Sequence, residues 1–375
     1  MNFIGNDQEV LDIFSRFNVP GRIEKAERFG SGLINDTYLC EVQGGGGVRR
    51  YLLQRVNKNV FRRPELVMEN IGTVTFHIAS RLRAKGSLDP EAIAPALVLT
   101  RDNRSYHRDP SGAFWRMFHF IEAGTVLDTV TDPAHAREVG RAIGRFQALV
   151  SDLPPAKLHF TLPGFHHTPR SLKEYDDALR LDARARAREV GAERDLVEQR
   201  RGLAPLLTDL MDAGLLPVRV VHNDPKVNNV MVDRATGEAL CMLDLDTVQP
   251  GIAPFDFGDC VRSAANPAGE DAEDLDESRL DLTLFESIAR GYLQEAHSFL
   301  TAKEIELLPA SVKVITFELG IRFLADYLRG DTYFKIKYPS HNLRRARVQF
   351  RLLESIETVE EKMSDFIERQ VMREK

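Results

Sequence analysis

Within eight residues the chain sets His222, Asp224 and Asn229 in the order His-x-Asp-x-x-x-x-Asn, and a second acid, Asp244, follows Asp224 by twenty positions at the end of the next apolar run. Transfer of a phosphoryl group needs a side chain to orient the attacking hydroxyl and take its proton. It also needs a divalent cation to bridge phosphate oxygens and absorb developing charge. A carboxylate, an amide oxygen and a second carboxylate supply both, and such hard oxygen donors suit Mg²⁺. Asp and Asn also form ordinary turns, so each residue alone says little. Together, between apolar runs and with a His two positions before the first acid, they point to chemistry.

The runs around these residues, VRVVHNDPKVNNVMVD and EALCMLDLDTV, predict short apolar strands flanked by polar loops. A strand-loop-strand hairpin between the two acids returns both loops to one edge, where Asp224, Asn229 and Asp244 can converge on one ion and one hydroxyl. Far upstream, FGSGLINDTYL places Gly30, Gly32 and Asn35 as Gly-x-Gly-x-x-Asn between two strand-like runs. A backbone without Cβ atoms can lie close to phosphates there. A hairpin turn with no ligand shows the same letters; the downstream acids give the motif its meaning.

From Arg22 to about Glu122 the sequence reads as strands (RIEKAERF, TYLCEV, YLLQRV, ALVLT, FWRMFHFI) interrupted by one helix that opens at Pro64 and carries Leu66, Met68, Ile71, Val74, Ile78 and Leu82 at three- and four-residue steps. After Ala123 the pattern turns helical: AHAREVGRAIGRFQALV, LAPLLTDLMDAGL, LTLFESIARGYLQEAH and Ser311 to Leu328 are amphipathic. The run RLDARARAREVGAERDLVEQRR, alternating in sign, predicts a solvated helix. The expected fold class is α+β and bilobal, with an antiparallel sheet lobe carrying one helix over residues 1–122 and a larger, mainly helical lobe over 123–375.

The 375 residues are 43% hydrophobic and 28% charged, ordinary for a globular protein. A formal charge of −6 argues against a nucleic-acid binder, which needs clustered Lys and Arg. No apolar stretch approaches the ~20 residues of a membrane span. The opening MNFIGNDQEV shows neither a secretory signal nor a transit peptide, so the cytoplasm is the expected location. Three scattered cysteines, Cys40, Cys241 and Cys260, predict buried thiols rather than disulfides or a zinc site.

The order of Gly-rich hairpin, strand, helix, aromatic strand, HNDPKVNN and DLDT resembles the aminoglycoside phosphotransferase and choline kinase superfamily, and more narrowly the N-acetylhexosamine 1-kinases. The narrower likeness is carried by GSGLIN, YLLQRVN, WRMFHFIE, LDLDTVQPG, FDFGDCVR and RFLADYLRGDTYFKIKYPSHNLRRAR, spanning about residues 22 to 347. The resemblance implies a protein-kinase-like bilobal fold that uses ATP and Mg²⁺ to phosphorylate the anomeric hydroxyl of a small-molecule sugar. It assigns Asp224 as catalytic base and Asn229 and Asp244 as magnesium ligands. Gly30, Gly32 and Asn35 cover the phosphates, and Phe120, Ile121 and Glu122 line the purine site. Glu69 resembles the acid that pairs with a nucleotide-binding Lys, but at the place of that Lys stand Gln54 and Arg55. Arg262, Arg322 and Tyr333, with Asp224, match positions that hold the sugar.

Two positions depart from the narrower pattern: Leu33, where relatives often carry His, and Ser263, where a bulky aromatic is common. The missing Lys also keeps a non-catalytic nucleotide-binding protein in view, and homoserine, choline and aminoglycoside kinases share the same motifs. For Arg322 an alternative is a plain i,i+4 salt bridge to Asp326. In FDFGD, Asp256 and Asp259 read as a structural turn and helix start near the site. Asp244-Leu-Asp246-Thr247-Val248 also fits a haloacid-dehalogenase phosphatase motif; such enzymes carry it after the first strand of a Rossmann-like sheet.

Overall fold

The computed structural model describes residues 7–30, 35–58, 61–127, 129–130 and 132–374; Gly32 and Leu33 lie outside them. After a short helix α1 (Asp7–Phe14), strands β1 (Arg22–Arg28), β2 (Asp36–Gly44) and β3 (Gly47–Val56) form a meander, followed by helix α2 (Pro64–Ala84) and strands β4 (His107–Arg108) and β5 (Phe114–His119). They make one antiparallel sheet in the order β1-β2-β3-β5-β4. Alternation along the strands sorts the side chains to two faces. Cys40, Val42, Tyr51, Leu53, Trp115 and Met117 pack with Val10, Ile13 and Phe14 of α1. The other face, with Gln54 opposite Arg116 in register, turns toward α2, where Arg116 approaches the sulfur of Met68.

Pro64 begins α2 where its missing N–H has no partner to lose, and the buried residues of that helix include Met68, Ile71, Val74 and Ile78. The expected strand ALVLT is not one. Its backbone divides its hydrogen bonds between Met117 and His119 of β5 on one side and Asn18 on the other, so no continuous ladder forms.

The turn before β5 is organised by Asp109, whose carboxylate accepts from Ser111 Oγ, the Ala113 N–H and Trp115 Nε1 at 2.6–2.8 Å. Burial alone raises its pKa, but these donors outweigh it and bring the group down to about 2. Because the folded-state value is depressed, the stabilisation is present above about pH 4 and fades as pH falls toward 2. An Asp109→Asn variant is therefore expected to be less stable than wild type near neutrality by about 1–3 kcal/mol. The gap, followed by thermal unfolding, should close over that acid window; a pH-independent gap contradicts the assignment.

The rest of the chain comprises β6 (Gly124–Val126), α3 (Pro133–Val150), α4 (Thr168–Leu181), α5 (Gly191–Arg200), α6 (Leu206–Asp212), β7 (Arg219–Val221), β8 (Val230–Asp233), β9 (Ala239–Met242), β10 (Gln249–Gly251), α7 (Ala253–Ala264), α8 (Leu282–Ala296), α9 (Ala302–Glu306), α10 (Leu308–Arg329) and α11 (His341–Glu374). Helices α3 and α8 meet backbone to backbone. A Cβ on Gly140 would stand 2.1 Å from Ile288 O, and one on Gly291 2.0 Å from Arg137 O, so only glycine permits the approach. Two small antiparallel sheets, β6-β8-β9 and β7-β10, sit among the helices.

The charged run does not form the single helix expected. At Asp182, with φ +40°, α4 ends, and the carboxylate turns back to cap the N–H groups of Arg186 and Ala187. Arg186 then binds Tyr327 O and Asp331, a tertiary anchor stronger than local helix propensity. Conversely, α11 is a helix not read from the sequence; Leu343, Ala346, Phe350, Leu353 and Ile356 form its buried stripe. The phosphatase reading of Asp244 fails on topology: among the described residues every ladder is antiparallel, and the loop follows β9 of a small antiparallel sheet rather than the first strand of a Rossmann-like one. No described helix is long and apolar enough to cross a membrane. All three cysteines are buried free thiols.

Candidate active site

The loop between β7 and β8 carries His222, Asp224 and Asn229. Its first turn is nailed down by Asp256 of α7, whose two oxygens accept the backbone N–H groups of His222 and Asn223 at 2.9 and 2.7 Å. Asp256 also takes a bond from Gln147 of α3, so the FDFGD segment acts as a helix start that grips the loop. The His222 ring accepts the Asp224 N–H at Nδ1 and reaches Leu243 O at 2.7 Å through Nε2. The proton therefore sits on Nε2, and burial, first among the causes, keeps the ring neutral by lowering its pKa.

Asp224 is half-buried in this loop. Asn229 Nδ2 bonds the Asp224 carbonyl and carboxylate at 2.8 and 3.2 Å, and Lys226 Nζ lies 2.7 Å from the same carboxylate oxygen. Burial raises the Asp224 pKa, with Asp259 and Glu270 pushing the same way and Lys226 opposing. Such a carboxylate is poised to accept a proton.

Asp244 follows β9 at φ +54°, and Leu243 N–H to Asn229 O at 2.7 Å brings its loop against the first. Thr247 closes the contact, donating to His222 O and accepting from Asn223 Nδ2. Burial, then repulsion from Asp246 and Asp224, pushes the Asp244 carboxyl up to about 7. A site whose acids resist ionising together is one that a divalent cation relieves. Among the described residues no set of three or more His, Cys, Asp or Glu side chains is preassembled around a metal. Two oxygen donors, Asn229 and Asp244, still fit Mg²⁺, whose shell is commonly completed by water and substrate phosphate.

The sheet lobe is joined to this centre through Asn35, whose Nδ2 bonds Asp246 at 2.9 Å; Gly30 precedes it at φ +75°. Gln54 faces the same side, whereas Arg55 lies over the Trp115 ring on the opposite face of the sheet. Glu69 pairs with His159 at the surface, and among the described residues no ion pair joins it to the sheet. At the junction of the lobes Phe120 stacks under Arg50, Ile121 is buried, and Glu122 is held by Arg50 Nε at 3.0 Å. Phe29 approaches Phe120 edge-on at 5.9 Å.

On the far side of Asp224, Arg262 is buried between Asp259 and Glu270. Arg322 is not engaged with Asp326, which instead accepts the N–H groups of Thr332, Tyr333 and Phe334. Its guanidinium lies 5.1–6.0 Å from the rings of Phe165, Tyr333 and Phe334. Tyr333 is 67% exposed. His166, beside Phe165, contacts Asn223 O at 3.0 Å and links this cluster to the Asp224 loop. The sequence reading gave no role to Lys226 or Arg116, and to Asp246 only the one in the phosphatase motif. A cation two positions after the acid was a readable signal for the first; the other two emerge only from strand register and inter-lobe contact.

Residues 25–295 match the model of the phosphotransferase enzyme family, and the chain belongs to that family. Its fold is similar to that of a microcompartment-associated aminopropanol kinase, at 16% identity over 95% of this chain and 98% of that one, with a TM-score of 0.63. A choline kinase from Cryptosporidium parvum aligns at 14% identity over 96% and 98% with a TM-score of 0.56. A spectinomycin phosphotransferase solved with ADP and spectinomycin aligns at 11% identity over 95% and 98%, again at 0.56. The architecture is thus the α+β, kinase-like one, with an N-terminal antiparallel sheet and a larger helical part.

Proposed function

We propose that this phosphotransferase is an ATP-dependent small-molecule kinase that phosphorylates the anomeric hydroxyl of an N-acetylhexosamine, GlcNAc or GalNAc. The observation that carries the kinase reading is the meeting of Asp224, Asn229 and Asp244 at the ends of two adjoining loops. Asp224 takes the proton of the attacking hydroxyl, and Lys226 beside it offers positive charge to the group in flight. Asn229 and Asp244 would hold Mg²⁺, and the ion would supply neutralisation of charge on the transferring phosphate. Gly30 and Asn35 would cover the phosphates, the role that the resemblance also gives to Gly32, and Phe120 to Glu122 would border the purine.

The sugar assignment draws support from the cluster beside the catalytic loop. Choline-type sites present bare aromatic faces to a quaternary ammonium; here the faces of Phe165, Tyr333 and Phe334 already stack with Arg322. A guanidinium set against aromatic faces suits hydroxyl and acetamido oxygens better than a second cation. Arg262, locked by Asp259 and Glu270, shapes the wall next to Asp224.

The test is ADP release from ATP across GlcNAc, GalNAc, glucose, galactose, choline and homoserine, followed by locating the new phosphate. An N-acetylhexosamine should give the highest kcat/KM, with phosphate at C1. Phosphate at C6 removes the 1-kinase assignment, and preference for choline or homoserine removes the sugar.

A further inference from the structure

Where resemblance leads one to expect a lysine in the sheet lobe stand Gln54 and Arg55, and the acid expected to pair with it, Glu69, is turned to the surface against His159. The link between lobes is made elsewhere. Arg116, on the neighbouring strand β5, donates through Nε to Gln54 Oε1 at 2.9 Å and through Nη1 to Asp246. Gln54 in turn donates to Thr37 Oγ1 at 3.0 Å, and Asn35, two residues before Thr37, bonds the other oxygen of Asp246. The result is a chain of hydrogen-bonded side chains, Asn35, Asp246, Arg116, Gln54 and Thr37, in which only Asp246 comes from outside the N-terminal sheet and the segment leading into it. Arg116 and Asp246 are both almost fully buried, at 3% and 4% side-chain exposure.

Asp246 stands two residues from Asp244, inside a single tight turn of three residues. The backbone at Asp244 is left-handed, a conformation that a non-glycine residue holds only when its surroundings impose it. One side of the imposition is Thr247, tied to His222 and Asn223. The other is Asp246, tied to the sheet.

We infer that Arg116 is a positioning residue for the metal-binding loop, replacing the absent lysine–glutamate pair: by fixing Asp246 it sets the backbone that presents Asp244 to Mg²⁺ and couples that presentation to the seating of the sheet lobe. Asp246, with its oxygens committed to Arg116 and Asn35, is a tether rather than a metal ligand. The inference rests on the reading that the cleft takes Mg²⁺ and ATP.

The experiment compares wild type, Arg116→Gln, Asp246→Asn and the double variant. It measures ATP binding by calorimetry across a Mg²⁺ titration and in EDTA, with thermal unfolding as a check on folding. Loss of a group that orients a ligand from outside the coordination shell weakens metal binding about 10- to 100-fold. Arg116→Gln should therefore raise the Mg²⁺ concentration for half-maximal ATP binding by that factor and leave affinity in EDTA near wild type. The double variant should be no worse than Arg116→Gln, because the two residues act in series. Should the single variant not fold because Asp246 is left buried and unpaired, the double variant, a neutral amide pair, must show the same shift. An unchanged Mg²⁺ requirement in a folded Arg116→Gln protein overturns the inference. So does loss of Mg²⁺ dependence in Asp246→Asn alone, which makes Asp246 a ligand. Wild type that binds no nucleotide in any Mg²⁺ concentration removes the kinase reading itself, and is seen before any variant is compared.

Discussion

Asp224→Asn is expected to lower kcat for sugar-dependent ADP release by about 10²- to 10⁴-fold, the range for loss of a positioned general base. The substitution is nearly isosteric. An amide oxygen at this position can still accept from Lys226 and Asn229, the two side chains that now bond the carboxylate, so the loop geometry has no reason to collapse. What disappears is the capacity to take a proton, which burial and the neighbouring acids Asp259 and Glu270 favour in the native carboxylate. Thermal unfolding close to wild type should therefore accompany the loss of turnover. A variant within severalfold of wild-type kcat contradicts the role given to Asp224.

Asp256→Ala should do comparable damage by a different route. The Asp256 side chain is fully buried and serves three donors at once: the N–H groups of His222 and Asn223 and the amide of Gln147. Removing it strands all three away from water, and uncompensated buried polar groups cost about 1–3 kcal/mol each. With partial relaxation a loss of roughly 3–5 kcal/mol follows, as for other buried charged networks broken on one side. The midpoint of thermal unfolding should fall by several degrees and turnover should fall with it, because the displaced peptides are those that aim Asp224. An unchanged midpoint, read by scanning fluorimetry, refutes the anchor.

The outline of the fold, an antiparallel sheet followed by a larger helical part, was legible in the sequence for physical reasons. Strands β1, β2, β3 and β5 read as short apolar and aromatic runs because one face of their sheet packs in a core with α1, and α2 and α3 carry apolar residues at helical spacing because they line the main core. Asp224, Asn229 and Asp244 stood out because their residue types are costly in a core and only their mutual spacing explains them. Other features depend on partners distant in sequence. Arg186 bonding across 145 residues to Asp331 broke the expected helix, and no local pattern encodes that contact. Arg116 looks like one more residue of an aromatic strand until β3 and β5 pair and place it beside Gln54. The long helix α11 was within reach, since Leu343, Ala346, Phe350 and Leu353 keep helical spacing, but its dense charge masked the stripe.

The most direct measurement of the central claim is a paired one on the Asp224→Asn protein: calorimetric binding of ATP with Mg²⁺, and ADP release with N-acetylhexosamine present. If Asn229 and Asp244 hold the metal and Asp224 handles the hydroxyl, the variant binds Mg²⁺ and ATP with near wild-type affinity and releases almost no ADP. Sustained ADP release from a protein that lacks this carboxylate would show that the three side chains do not divide the work as the geometry indicates.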